Sequence, residues 1–183
     1  MDFVDNSKHQ TIVSNSNSEY TLTLGTLEDL PSILKLLQEF YLSSRYSSME
    51  YDLEIIEREI VNTISSPKEE NIVILSLYKN EPCGLIIGSV VPAPFSTQLI
   101  GVERAWWVSP EHRRSKSGIK LLQAFEDWCL RVGCQMIQMS LLVPLESIVE
   151  ASEIGTSLRI EKLYQKMGYS LCEKSFIKVI SDH

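Results

Sequence analysis

Apolar positions first fall into a pattern at Tyr20-Thr21-Leu22-Thr23-Leu24, whose alternation predicts a strand. Residues 1–18 are polar, with a Ser/Asn run at 14–18, and read as a flexible arm or attachment segment. Gly25-Thr26 then opens a helix, with Thr26 as N-cap and Asp29 three residues on, near the positive end of the helix dipole. Leu27, Leu30, Ile33, Leu34, Leu37 and Tyr41 keep helical spacing, and after a Ser-rich joint Leu53, Ile56, Ile60 and Ile64 mark a second amphipathic helix. Strands are predicted from Asn71 to Tyr78 and from Cys83 to Val91, joined by a turn at Lys79-Asn80-Glu81-Pro82. Another runs from Gln98 to Val108, where Pro110 stops it. A basic loop leads into a helix from Gly118 to Arg131, closed by Gly133. A strand over 135–142, a long acidic connection over 143–155, a helix with Leu158, Leu163 and Met167, and a hairpin from Tyr169 to Ile180 finish the chain. The order implies one mixed α/β layered domain.

Charge narrows the partners. Among 183 residues, 24 acidic side chains outnumber 17 basic ones, a formal net charge of −7. Such a surface disfavours nucleic acid and anionic membranes, whose phosphates attract surplus Lys and Arg, but tolerates a cationic amine. No apolar run approaches the roughly 20 residues of a spanning helix, and the opening Met1-Asp2-Phe3-Val4-Asp5-Asn6 lacks the form of a signal peptide, so a cytoplasmic protein is expected. Cys83, Cys129, Cys134 and Cys172 lie among apolar neighbours without a C-x-x-C spacing. With His112 the only internal histidine, neither a zinc site nor a cysteine nucleophile is expected.

Chemistry concentrates at 108–122. A strand end, a proline stop and a basic loop precede a helix that opens at Gly118, and the unpaired N–H groups of a helix start form an anion site. Arg113, Arg114, Lys116 and Lys120 add cations to that turn. The stretch resembles the acyl-CoA signature of the GNAT superfamily of N-acyltransferases, Val-x-Pro-x-x-(Arg/Gln)-x-x-Gly-x-(Gly/Ala). Val108, Pro110, Arg113 and Gly118 match it, and Lys116 replaces the first glycine. Leu163-Tyr164-Gln165-Lys166-Met167-Gly168-Tyr169 resembles the family's second segment, Leu-Tyr-x-Lys-x-Gly-Phe/Tyr. The narrower wording around Glu103 to Arg113 and Phe125 to Trp128 resembles small stand-alone members encoded by bacteriophages.

This resemblance implies a GNAT domain over 19–183, after an arm over 1–18, with a mixed, mostly antiparallel, splayed sheet and flanking helices. It implies acyl transfer, acetyl above all, from acyl-CoA to a primary amine, without a metal. The loop Arg113, Arg114, Ser115, Lys116, Ser117 and Gly118 would hold the pyrophosphate, and the backbone at Trp106, Trp107 and Val108 would pair with pantetheine. Tyr164, a phenol with a pKa near ~10, would protonate the departing thiolate. Glu103 is the candidate base, because burial in an apolar strand raises a carboxyl pKa. Strand alternation puts Glu103 on one face with Ala105 and Trp107, and Arg104 with Trp106 on the other. Glu50 and Asp52 are weaker candidates for holding a cationic acceptor, and the 143–155 connection is expected to border the acceptor cleft or a partner contact. The alternative is a catalytically silent GNAT scaffold, virion-associated or host-binding, with a homo-oligomer or a host protein as partner. Lys116, the polar arm and the phage-like wording favour it.

Overall fold

Ile72-Val73-Ile74-Leu75 and Leu85-Ile86-Ile87 are unbroken apolar runs, which only strands covered on both faces can bury. The structure, a computed structural model describing residues 11–13, 19–141, 151–173, 175–176 and 178, covers them so. The chain falls into two compact units, Met1–Ser140 and Leu141–His183.

The first unit is a six-stranded sheet in chain order: β1 (Thr11–Val13), β2 (Tyr20–Leu24), β3 (Asn71–Tyr78), β4 (Glu81–Pro92), β5 (Leu99–Val108) and β6 (Met136–Gln138). Neighbours from β1 to β5 are antiparallel, and β6 joins parallel to β5. Helices α1 (Leu30–Leu42) and α2 (Leu53–Ser65) cover one face, burying Ile33, Leu36 and Ile60 against Val73, Leu75, Leu85, Ile87 and Ala105. Helix α3 (Ser117–Arg131) covers the other, setting Leu121, Phe125 and Trp128 on Leu22, Ile72, Ile74 and Ile86. Each such aliphatic side chain contributes roughly 1.5–3 kcal/mol by leaving water. The second unit contains α4 (Ala151–Lys166).

Local signals act as expected at most joints. The Thr26 N–H donates to the Asp29 carboxylate (2.8 Å), closing a capping box ahead of α1. The β3–β4 hairpin turns on two residues, Lys79 and Asn80, both at positive φ (50° and 68°), so β4 starts at Glu81. Buried Cys129, its thiol pushed up to about 12 chiefly by desolvation, serves packing rather than nucleophilic chemistry.

Five expectations change. Thr11–Val13 adds a strand inside the segment read as an arm, held by pairing to β2; the rest of 1–18 lies outside the described residues. The strand expected over 135–142 shrinks to Met136–Gln138. Helix α4 already runs from Ala151, and residues 142–150, most of the expected connection, lie outside the described residues. Of the expected final hairpin, residues 169–173, 175–176 and 178 carry no strand, and the remainder is not described.

The last change concerns faces. Ile87 pairs with Ala105 but Gly88 with Glu103, so Arg104 is an extra residue, a β-bulge. A Cβ on Gly88 would lie 2.2 Å from Phe125 of α3, which puts Gly88 and its partner Glu103 on the α3 face. Ala105 packs in the core under α1 and α2. Glu103 and Ala105 therefore face opposite ways, against simple alternation, because the bulge inserts half a period between them.

Candidate active site

Strand β5 outruns its parallel neighbour. Pairing with β6 covers only Ile100 to Val102, and from Glu103 to Val108 the strand has β4 on one side and no strand on the other among the described residues. Peptide groups on an edge that lacks a second strand need some other partner. Glu103 sits where the two strands part, only 7% exposed, and its Oε2 accepts the Ser140 N–H at 3.0 Å. Desolvation pushes the Glu103 carboxyl up to about 7, against a smaller downward pull from that hydrogen bond. A carboxyl with this pKa exchanges protons readily at neutral pH.

The far end of β5 is pinned from α1. One oxygen of Glu39, Oε2, accepts both the Trp107 indole N–H (3.0 Å) and the Ser109 hydroxyl (2.7 Å). Phe40 meets the Trp107 ring edge-on, and the Arg113 guanidinium lies 4.3 Å from the ring's centre while its Nε donates to the Val108 carbonyl (3.1 Å). Arg113 thus folds back onto the strand end rather than extending into the loop. Glu39 went unremarked in the pattern, although a carboxylate three residues after buried Leu36 sits on the apolar side of α1. Glu39→Leu is expected to leave two donors unpaired and to cost about 2 kcal/mol, a fall in melting temperature of roughly 5 °C. Glu39→Gln, which keeps an acceptor, should restore most of that in a thermal melt.

Past β5, the Pro110–His112 turn is clamped to the sheet. His112 Nδ1 and the Tyr20 hydroxyl lie 3.0 Å apart, and the His112 ring packs with Tyr20 and Tyr78. The Ser115 hydroxyl donates to the His112 carbonyl (2.7 Å) and accepts the Ser117 N–H (3.1 Å), starting α3. The next N–H groups, at Gly118 and Ile119, have no acceptor within the helix. Ser117, fully buried, has a hydroxyl with no hydrogen-bond partner. Arg114 and Lys116 are exposed beside it.

The profile of the family described as "Acetyltransferase (GNAT) family" matches residues 30–146, more than half of the chain. The chain belongs to the GNAT acetyltransferase family. No curated protein sequence matches it. Among solved structures, the aminoglycoside acetyltransferase meta-AAC0020 from an uncultured soil metagenomic sample, in complex with trehalose, aligns at 13% identity. It covers 90% of this chain and 99% of its own, with a TM-score of 0.62. AAC(6')-Iy, in complex with the bisubstrate analog CoA-S-monomethyl-acetylneamine, aligns at 12% identity over 90% and 100%, TM-score 0.61. Ribosomal-protein-alanine N-acetyltransferase from Brucella melitensis biovar Abortus 2308 aligns at 12% over 88% and 99%, TM-score 0.63. At such identities the likeness is one of fold.

The GNAT signature positions can now be placed. Lys116, where the family has glycine, adopts φ −86° and ψ 6°, a backbone any residue accepts, so the replacement carries no strain. A Cβ on Gly118 would stand 3.6 Å from Trp106 and Val108, ordinary contact, which accounts physically for alanine as the alternative there. Trp106 packs toward α3 and Trp107 toward α1, on opposite faces as expected. Asp52 is spent on a cap, accepting the Ile55 N–H (3.0 Å) at the start of α2, and Glu50 is exposed. Tyr164 belongs to the second unit. It is buried two residues before the end of α4, its ring 5.5 Å from that of Tyr169. Gly168, at φ 90°, stops the helix and lets the Tyr169 N–H return to the Tyr164 carbonyl (2.9 Å). The GNAT segment Leu-Tyr-x-Lys-x-Gly-Tyr is thus a helix stop that holds its tyrosine in place. No helix among the described residues is long and apolar enough to cross a membrane.

Proposed function

We propose that this GNAT protein transfers an acetyl group from acetyl-CoA to a primary amine by direct attack. The observation that carries the reading is the buried Glu103 carboxyl, poised near 7, at the point where β5 loses its neighbour. The α3 start fits a pyrophosphate: free N–H groups at Gly118 and Ile119, an unpartnered Ser117 hydroxyl, and the cations of Arg114 and Lys116. Arg113 joins them by leaving the Trp107 face. The open edge at Trp106, Trp107 and Val108 offers peptide groups to pantetheine. When bound, acetyl-CoA supplies an activated thioester. Glu103 takes the proton of the attacking amine, directly or through one water, and Tyr164 gives a proton to the departing sulfur. Positioning by the sheet edge and the helix dipole lowers the barrier further.

Titration calorimetry with acetyl-CoA tests the first step. Because the loop contributes charge and the helix N-terminus contributes dipole, the dissociation constant should rise roughly tenfold between dilute buffer and about 0.5 M salt. Absence of both heat and thermal shift at millimolar ligand would overturn the enzymatic reading in favour of a scaffold that keeps the fold.

A further inference from the structure

Helix α3 stops at Gly133, which takes φ 83°. Its N–H returns to the Leu130 carbonyl (3.2 Å), and the N–H of Cys134 returns to the Cys129 carbonyl (2.9 Å). This double return is the left-handed stop in which side chains from either side of the turn meet. Here both are thiols. The 2.9 Å hydrogen bond, extended by one carbonyl and one N–Cα bond, keeps the two Cα atoms within about 7 Å, a span a disulfide can bridge. The sulfurs converge as well. A Cβ on Gly101 would lie 2.2 Å from the Cys129 sulfur and 3.6 Å from the Cys134 sulfur, so both crowd the space this glycine leaves on β5. Cys129 is fully buried and Cys134 only partly so, which makes Cys134 the member a small reagent reaches. Burial pushes both thiols up, Cys129 to about 12, while the hydrogen bond between them favours the thiolate on Cys134. Cys129 by itself only packs, but beside Cys134 it can serve as the second thiol of a pair.

We propose that Cys129 and Cys134 form a dithiol modification site, which a small disulfide of the glutathione type oxidises to an intramolecular disulfide. The assignment does not depend on the acyl-transfer reading. Cys134 attacks one sulfur of the small disulfide, whose S–S bond breaks and releases the first small thiol. Cys129 then attacks the Cys134 sulfur of this mixed disulfide and expels the second. The two protein thiols lose two electrons and two protons, and the small disulfide takes up both to become two thiols. The new bond closes a short ring around the stop of α3 and staples it beside Gly101, two residues before Glu103. Cys83 has a different neighbour, its thiol donating to the Ser76 carbonyl (3.3 Å).

The test treats the folded, full-length Cys172→Ser protein with glutathione disulfide after reductant is removed. Losing the exposed Cys172 keeps pairing between molecules out of the result. Intact mass and a tryptic map are then read. Cleavage after Arg131 separates the two cysteines, so a linked pair of peptides identifies the bond. The expected product is lighter by two hydrogens, carries no glutathione, yields the Cys129–Cys134 link and reverts with dithiothreitol. Cys129→Ala should instead retain one glutathione on Cys134, because no second thiol remains to expel it. Cys134→Ser should stay reduced over the same period. A parent protein that stays fully reduced, that keeps glutathione on Cys134, or that forms the link only in denaturant overturns the proposal. If Cys129→Ala does not fold, the parent's peptide map decides alone.

Discussion

Glu103→Gln should lower turnover about a hundredfold or more, the span associated with losing a positioned base, while making the protein more stable at alkaline pH. Both effects follow from the same burial. In wild type the kcat/KM profile should rise with pH through about 7 as Glu103 loses its proton, and the variant should lack that limb. For stability the sign is opposite. The folded carboxyl titrates near 7 and the unfolded one near 4.5, so the folded state holds its proton more tightly. The stabilisation this brings is full below about pH 4.5 and is lost as pH rises through 7, a swing of roughly 3 kcal/mol. Glutamine never charges and keeps an oxygen for the Ser140 N–H, so a denaturant melt at pH 8 should show the variant ahead of wild type. Equal turnover would remove Glu103 from the mechanism, and a pH-independent difference in stability would contradict the burial argument.

Tyr164→Phe separates acid catalysis from packing. The ring and its contact with Tyr169 stay, and only the hydroxyl goes. Turnover should fall roughly ten- to a thousandfold, with acetyl-CoA binding held within a few-fold because the hydroxyl acts only as the thiol departs. A tyrosine that merely packs gives the reverse, a lower melting temperature with turnover per folded molecule retained. Free thiol release normalised to folded protein reads the difference.

Much of this was legible in the chain because its signals are local. The strand Tyr20–Leu24 and the helices Leu53–Ser65 and Ser117–Arg131 follow from periodicity, caps and breakers within a few residues of the predicted ends. The loop 113–118 was legible for the same reason, being set by its own turn and the helix that follows. What escaped depends on partners far away in sequence. Thr11–Val13 is a strand because β2 offers an edge, not because its residues alternate. The faces of Glu103 and Arg104 depend on which residues of β4 stand opposite, and no pattern within β5 records that register. Glu39 gains its role from an indole and a hydroxyl about 70 positions on, brought to α1 by the sheet.

The extra residue in β5 carries an evolutionary corollary. Removing Arg104 by a single-codon deletion would bring Glu103 and Ala105 next to one another in the chain, opposite Gly88 and Ile87, which are already adjacent. Every cross-strand pair could persist, so the carboxyl would stay beneath α3 and the alanine under α1 and α2, with only the guanidinium gone. Length variation at this one position is therefore a route by which descendants of such a chain can gain or lose a guanidinium on the strand while the buried carboxyl keeps its place.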